Sequence, residues 1–151
     1  MVKSKVLVKV FVFLLSIIVI TLMCELARRR IGSFGGAYPF VETWKINHSI
    51  KDVENNLAKL HRLNPTLFKD TTQLVLAPDF TGHWKKIDFY YTDRDEIVQV
   101  LIRGFGSRTN ISLYRFINKN SGVIRLMNKD FNYFNNRREK ELFENRILKY
   151  L

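Results

Sequence analysis

Hydrophobic and polar positions divide this chain into two unlike parts. From Val6 to Cys24 the sequence is apolar almost without interruption, Lys9 being the one charge in the run. Those nineteen residues would rise about 28 Å as a helix, close to the roughly 30 Å of a bilayer's hydrocarbon core. Beyond residue 38 the pattern becomes periodic. Val41 to Asn47 reads as a short strand. Ser49 predicts an N-cap with Asp52 in the capping-box position, and Ile50, Val53, Leu57 and Leu60 follow at helical spacing until Pro65 ends the helix near Leu63.

Lys69 to Pro78 is weakly patterned, with Gln73 to Ala77 as a candidate short strand. Trp84 to Thr92 alternates, Ile87, Phe89 and Tyr91 falling on one face and Lys86, Asp88 and Tyr90 on the other. A polar turn at Asp93–Asp95 and a β-branched return from Glu96 to Arg103 complete a hairpin signal. Gly104 to Ser107 break the pattern before strands expected at Ile111–Asn118 and Val123–Met127, joined by a tight turn at Lys119–Gly122. Asn136 with Glu139 suggests a cap for a closing helix, whose apolar stripe is Leu142, Phe143, Ile147, Tyr150 and Leu151.

Strands grouped between terminal helices predict an α+β fold: a transmembrane helix, then a small antiparallel sheet in the order β-α-β-β-β-β-α with helices packed on one face. Residues 1–30 form the expected anchor, with its helix over about 6–24. Residues 31–37 read as a Gly/Ser linker that lets the domain stand clear of the membrane, and 38–151 as a single soluble domain.

Composition narrows the classes. The chain has 151 residues, 46% of them hydrophobic, with only 3 Pro and 7 Gly, which excludes a disordered or collagen-like protein. One Cys and 3 His exclude a disulfide scaffold and a conventional structural zinc site, and no cofactor motif is present. The net charge is +11, of which residues 1–30 hold five. The rest is spread among acidic residues, so a solvated mixed surface explains it better than nucleic-acid binding does.

Three fates compete for the apolar segment: an uncleaved signal anchor, a cleaved secretory signal, and a lipoprotein signal ending at Cys24. A cleavage site wants small residues at −3 and −1, and Ala27 has Glu25 at −3. Met23 and Thr21 occupy the places where a lipoprotein signal wants a small residue and Leu. The uncleaved, single-pass anchor fits best, with lipidation of Cys24 as the sharper alternative. Flanking charge is nearly balanced, Lys3, Lys5 and Lys9 against Arg28, Arg29 and Arg30. A very short N-terminal tail normally stays cytoplasmic, which favours a domain on the extracytoplasmic side of the cell membrane, with a cytoplasmic domain as the alternative.

Candidate chemistry is sparse. Asp79 and His83 are the nearest approach to an acid–base pair, and without a neighbouring nucleophile they read first as a polar loop. His48 and His61 flank the first helix of the domain, too far apart for joint metal binding, and suit capping or surface roles. Arg103-Gly-Phe-Gly-Ser-Arg108 resembles a phosphate loop in composition, but a strand follows where a helix is needed. An irregular, bulged hairpin connection is the simpler reading, with Arg103 and Arg108 as contacts for an anion or acidic partner. The expected function is a membrane-tethered binding or accessory module for a protein or envelope component. A small hydrolytic enzyme using Asp79 and His83 is the alternative from another class.

Overall fold

A computed structural model describes residues 2–31 and 38–151, with side chains from residues 8–30 and 38–151. Beyond Ile31, the expected linker at 31–37 lies outside the described residues. Helix α1 (Val2–Ile31) contains a stretch, Val8–Arg30, long and apolar enough to cross a membrane or to act as a signal sequence, and none of that stretch's apolar window is buried against the domain.

The domain follows as β1 (Glu42–Ile46), α2 (Ile50–Leu63), a 3-10 turn (Pro65–Leu67), β2 (Ala77–Pro78), β3 (Lys85–Tyr91), β4 (Glu96–Phe105), β5 (Arg108–Asn118), β6 (Ile124–Leu126), α3 (Met127–Asp130), α4 (Tyr133–Arg146) and a closing 3-10 turn (Leu148–Tyr150). The fold is α+β, as the sequence pattern predicts. Its antiparallel sheet has six strands in the order β1-β5-β4-β3-β2, with β6 also pairing β5. The additional strand is the two-residue β2, shifted to the end of the candidate 73–77 segment.

Helix α2 forms where the pattern placed it. Ser49 accepts from the Asp52 amide, Asp52 reaches back to the Ser49 amide, and Val53, Leu57 and Leu60 are buried. These side chains pack on the sheet face carrying Ile87, Phe89, Val98, Val100, Ile102, Ile111, Leu113 and Phe116, and Phe143 and Ile147 join the same core. His61 is drawn into it, its ring 4.8 Å from Phe68 and its Nε2 3.0 Å from the Asp70 carbonyl, so it is a packing residue and not the surface or cap residue expected.

Three local readings need correction. The break expected at Gly104–Ser107 is shorter: β4 runs through Phe105 and β5 starts at Arg108, leaving a two-residue hairpin turn in which Gly106 adopts φ +63°. The bulge lies elsewhere, where the partner of β4 skips from Arg115 (opposite Gln99) to Leu113 (opposite Val100), leaving Tyr114 unpaired. The closing helix begins earlier, capped by Asn132, whose side chain accepts from the Asn135 amide at 2.8 Å. Asn136 is buried within it, its amide meeting that of Asn128 at 2.7 Å, and Tyr150 is half exposed because the chain tightens into the 3-10 turn after Arg146.

Charge pairs fasten α4 to the sheet. Glu139, 1% exposed, grips Arg94 through two bonds of 2.6 and 2.8 Å, and Glu96 beside them holds Arg125. Arg146 grips Asp93, Lys140 pairs with Glu42, and the Trp44 indole donates to Glu144.

Helix α1 also meets the domain. Glu25 holds the Arg28 guanidinium through two bonds, and Arg28 in turn donates to the carbonyls of Asn128 at 3.1 Å and Phe131 at 2.7 Å. Asn128 binds the chain on the other side of the linker, its amide donating to the Phe40 carbonyl and its side chain to that of Val41. The domain therefore rests against the C-terminal end of α1 and does not stand clear of it.

Candidate functional site

The face of the sheet opposite the core carries the most distinctive surface. Strand alternation turns Thr43 and Lys45 of β1, Asn110 and Ser112 of β5, and Leu101 and Arg103 of β4 to this side, because their neighbours Trp44, Ile111 and Ile102 face the core. Register lines them up in rows. Lys45 lies opposite Asn110, Asn110 opposite Arg103, and Trp84 precedes the β3 residue that pairs with Ile102.

Two segments cap part of this face. Tyr38 packs its ring 6.2 Å from Trp84, 5.1 Å from Tyr114 and 5.5 Å from Phe80. Its hydroxyl donates to Asp79 at 2.7 Å, and Asp79 also accepts from the Thr81 hydroxyl and the Trp84 amide. This cover explains why Leu101 and Ser112 are buried on what would otherwise be a solvent face. Partial burial works to raise the Asp79 pKa, but the donors from Thr81, Tyr38 and Trp84 outweigh it and hold it at about 2. Burial, and then the bond to Asp79, push the Tyr38 hydroxyl above its ordinary value.

Between the cap and the strands lies a hollow of about 320 Å³, walled by Tyr38, Thr43, Trp84, Arg103, Asn110 and Ser112. The Arg103 guanidinium sits 5.7 Å from the centre of the Trp84 ring and 4.8 Å from that of Phe105. Both rings lie within cation–π range, an arrangement that leaves the N–H groups available for a carboxylate or phosphate. Among the described residues, Lys45, Lys86, Arg103 and Arg108 enter no ion pair.

Of the residues singled out from sequence, Arg103 lines this hollow and Arg108 stands on the same face, opposite Phe105 at the hairpin end. Trp84 and Tyr38, which wall the hollow with Arg103, and Lys45, which lies beyond Asn110 in the same row, were missed, since only register and the cap bring them to this face. Asp79 and His83 do not assemble as an acid–base pair: the Asp79 carboxylate is occupied by Tyr38, Thr81 and Trp84, and the exposed His83 meets Thr81 through its backbone amide, with no side-chain bond to Asp79 among the described residues. His48 contributes its carbonyl, which accepts from the Thr109 hydroxyl. Cys24 is an exposed thiol on α1. Among the described residues, no group of three or more His, Cys, Asp or Glu side chains is placed to hold a metal ion.

An apolar N-terminal helix carrying an α+β domain defines the class of protein. Neither a known family model nor a curated protein matches the sequence.

Proposed function

We propose that this protein is a single-pass, membrane-tethered binding module whose outer sheet face takes an acidic segment of a partner protein. In this reading α1 is retained as an anchor and the domain lies on the extracytoplasmic side. The observation that carries it is the Arg103 guanidinium, within cation–π range of Trp84 and Phe105 beside the 320 Å³ hollow, with Arg108 on the same face, Lys45 beyond Asn110 in the same row, and no carboxylate paired to any of the three among the described residues. A guanidinium with free donors suits the planar carboxylates of Asp and Glu, and Asn110, Thr43 and the rings supply the neutral contacts a peptide needs. An acid–base enzyme at Asp79 has no such support, because that carboxylate already accepts from three protein donors.

The test uses the intact chain in lipid nanodiscs and a fluorescent Glu-rich peptide. Binding should fall when Arg103→Ala and Lys45→Ala are combined, and should weaken with salt as expected for partly exposed charges. Equal binding of a neutral peptide, or no effect of the paired substitutions, would overturn the reading. Tight, steeply salt-dependent binding of duplex DNA at physiological ionic strength would favour nucleic acid instead. Intact mass and protease treatment of whole cells test anchor retention and sidedness; a chain beginning at Cys24 with added acyl mass would mark a lipoprotein.

A further inference from the structure

We infer that the domain has a second membrane contact, in which Tyr133 and Phe134 at the start of α4 dip into the lipid interface beside the C-terminal half of α1. This rests on the reading of α1 as a bilayer-spanning anchor. The exposed apolar side chains of the domain include two adjacent pairs, Val123 with Ile124 and Tyr133 with Phe134; the second pair, 57% and 80% exposed with ring centres 5.6 Å apart, is the one that lines a groove with α1. Their position is fixed by the two residues before them: Arg28 holds the Phe131 carbonyl, and Asn132 caps the helix on which they stand. The two rings and α1 residues including Ile20, Thr21 and Leu22 face one groove of about 820 Å³.

Depth follows from helix geometry. Lys9 and Arg28, the cations that flank the apolar run, are nineteen residues apart, about 28 Å, and the one acid between them, Glu25, is paired to Arg28, so each cation falls near one edge of a hydrocarbon core roughly 30 Å thick. Thr21, seven residues before Arg28, then lies about 10 Å deeper. Rings that share a groove with Thr21 therefore reach the headgroup–acyl boundary, where aromatic side chains concentrate and where amphipathic surfaces bury by about 5–10 Å. Lys129 on α3 and Arg137 and Arg138 on α4 stand exposed near the rings in sequence, cations that suit anionic headgroups. The occupant this geometry selects for the groove is a phospholipid acyl chain, because Ile20, Leu22 and the two rings offer it an apolar wall continuous with the bilayer.

The full chain with Cys24→Ala is reconstituted into phosphatidylcholine vesicles containing acyl-chain-brominated lipid. An environment-sensitive fluorophore is attached, one site at a time, to Phe134→Cys, to Ile18→Cys on α1, or to Phe80→Cys, whose parent side chain is 81% exposed in the capping loop. The probes on Ile18→Cys and Phe134→Cys should both be quenched and blue-shifted relative to the one on Phe80→Cys. If Ile18→Cys is quenched and Phe134→Cys behaves as Phe80→Cys does, the second contact is wrong while the anchor stands. If neither is quenched, the spanning anchor fails and the inference falls with it. Quenching at Phe80→Cys equal to that at Phe134→Cys would also overturn it, since the domain would then lie on the membrane without a preferred edge. Far-UV circular dichroism confirms that each labelled chain is folded.

Discussion

Glu139→Ala removes the carboxylate that grips Arg94 through both terminal nitrogens, at 2.6 and 2.8 Å. The Glu139 side chain is 1% exposed and that of Arg94 23%, so the substitution strands a mostly buried guanidinium. Breaking a buried pair from one side costs about 3–5 kcal/mol. Arg94 keeps some access to water, and Glu96 remains 3.5 Å from its Nε although already engaged with Arg125, which places the cost at the lower end, about 3 kcal/mol. That is a large share of a domain stability of about 5–15 kcal/mol. With a urea slope of about 1–3 kcal/mol per M, the unfolding midpoint should fall by about 1–3 M. Fluorescence of Trp44 reports it in the intact chain, because its indole donates to Glu144 on α4 and its ring lies 5.1 Å from Phe143. Converting both partners, Arg94→Leu with Glu139→Leu, should recover most of the loss, since the desolvation of two charges disappears with their attraction. A single-variant loss below about 1 kcal/mol, the level of a solvent-exposed pair, would refute the claim that this pair holds α4 to the hairpin.

Asp79, held at about 2 in the folded chain, contributes stability to the Tyr38–Trp84 cap that is fully present above the ordinary carboxylate range and lost as pH falls from about 4 to about 2. Trp84 fluorescence should follow that window in the parent chain, and Asp79→Asn should abolish the step; an unchanged profile would assign it to another acid. Gly104→Ala places a Cβ 2.9 Å from the Ile50 Cβ at the start of α2, and overpacking of this kind costs about 1–3 kcal/mol, read as a lowered urea midpoint. A midpoint that does not move would show that α2 is not seated on the β4–β5 hairpin as closely as the geometry requires.

The parts of the fold legible in the sequence are those where one local rule decides. Helix α2 announces itself through Ser49, Asp52 and a four-residue apolar stripe, and β3 through its strict alternation, which reappears as buried Ile87, Phe89 and Tyr91. Helix α4 misleads because its inward face is polar over its first half and apolar only from Phe143. Asn136 and Glu139 resemble a capping box, yet both are buried and spent on distant partners, Asn128 and Arg94, which local spacing cannot reveal. The candidate site was legible only as two arginines. Lys45, Trp84 and Tyr38 come from three other segments, and their meeting depends on strand register and on a loop folded back over the sheet. The contact of Arg28 with Asn128 and Phe131 spans about a hundred residues and uses backbone carbonyls as acceptors, so no side-chain motif marks it.

One residue links the two ends of this arrangement. On β5 the core-facing side chains are Ile111, Leu113 and then Phe116, a step of three where an unbroken strand allows two. The unpaired Tyr114 supplies the difference, and its ring stands against Tyr38 on the outer face. Because the bulge bends β5, its first half pairs β1 and walls the hollow at Asn110 and Ser112. Its second half pairs β6, which leads directly into α3 and the carbonyls that receive Arg28. Were Tyr114 held in regular register, with no bulge, alternation would turn Phe116 to the outer face and Arg115 into the core, away from Gln99, to which it now donates at 2.7 Å. Phe116 would lose its edge contact with Phe131, the residue whose carbonyl Arg28 holds. The bulge thus lies between the hollow on the outer face and the seat of the domain on α1, and one change of register on β5 would disturb both.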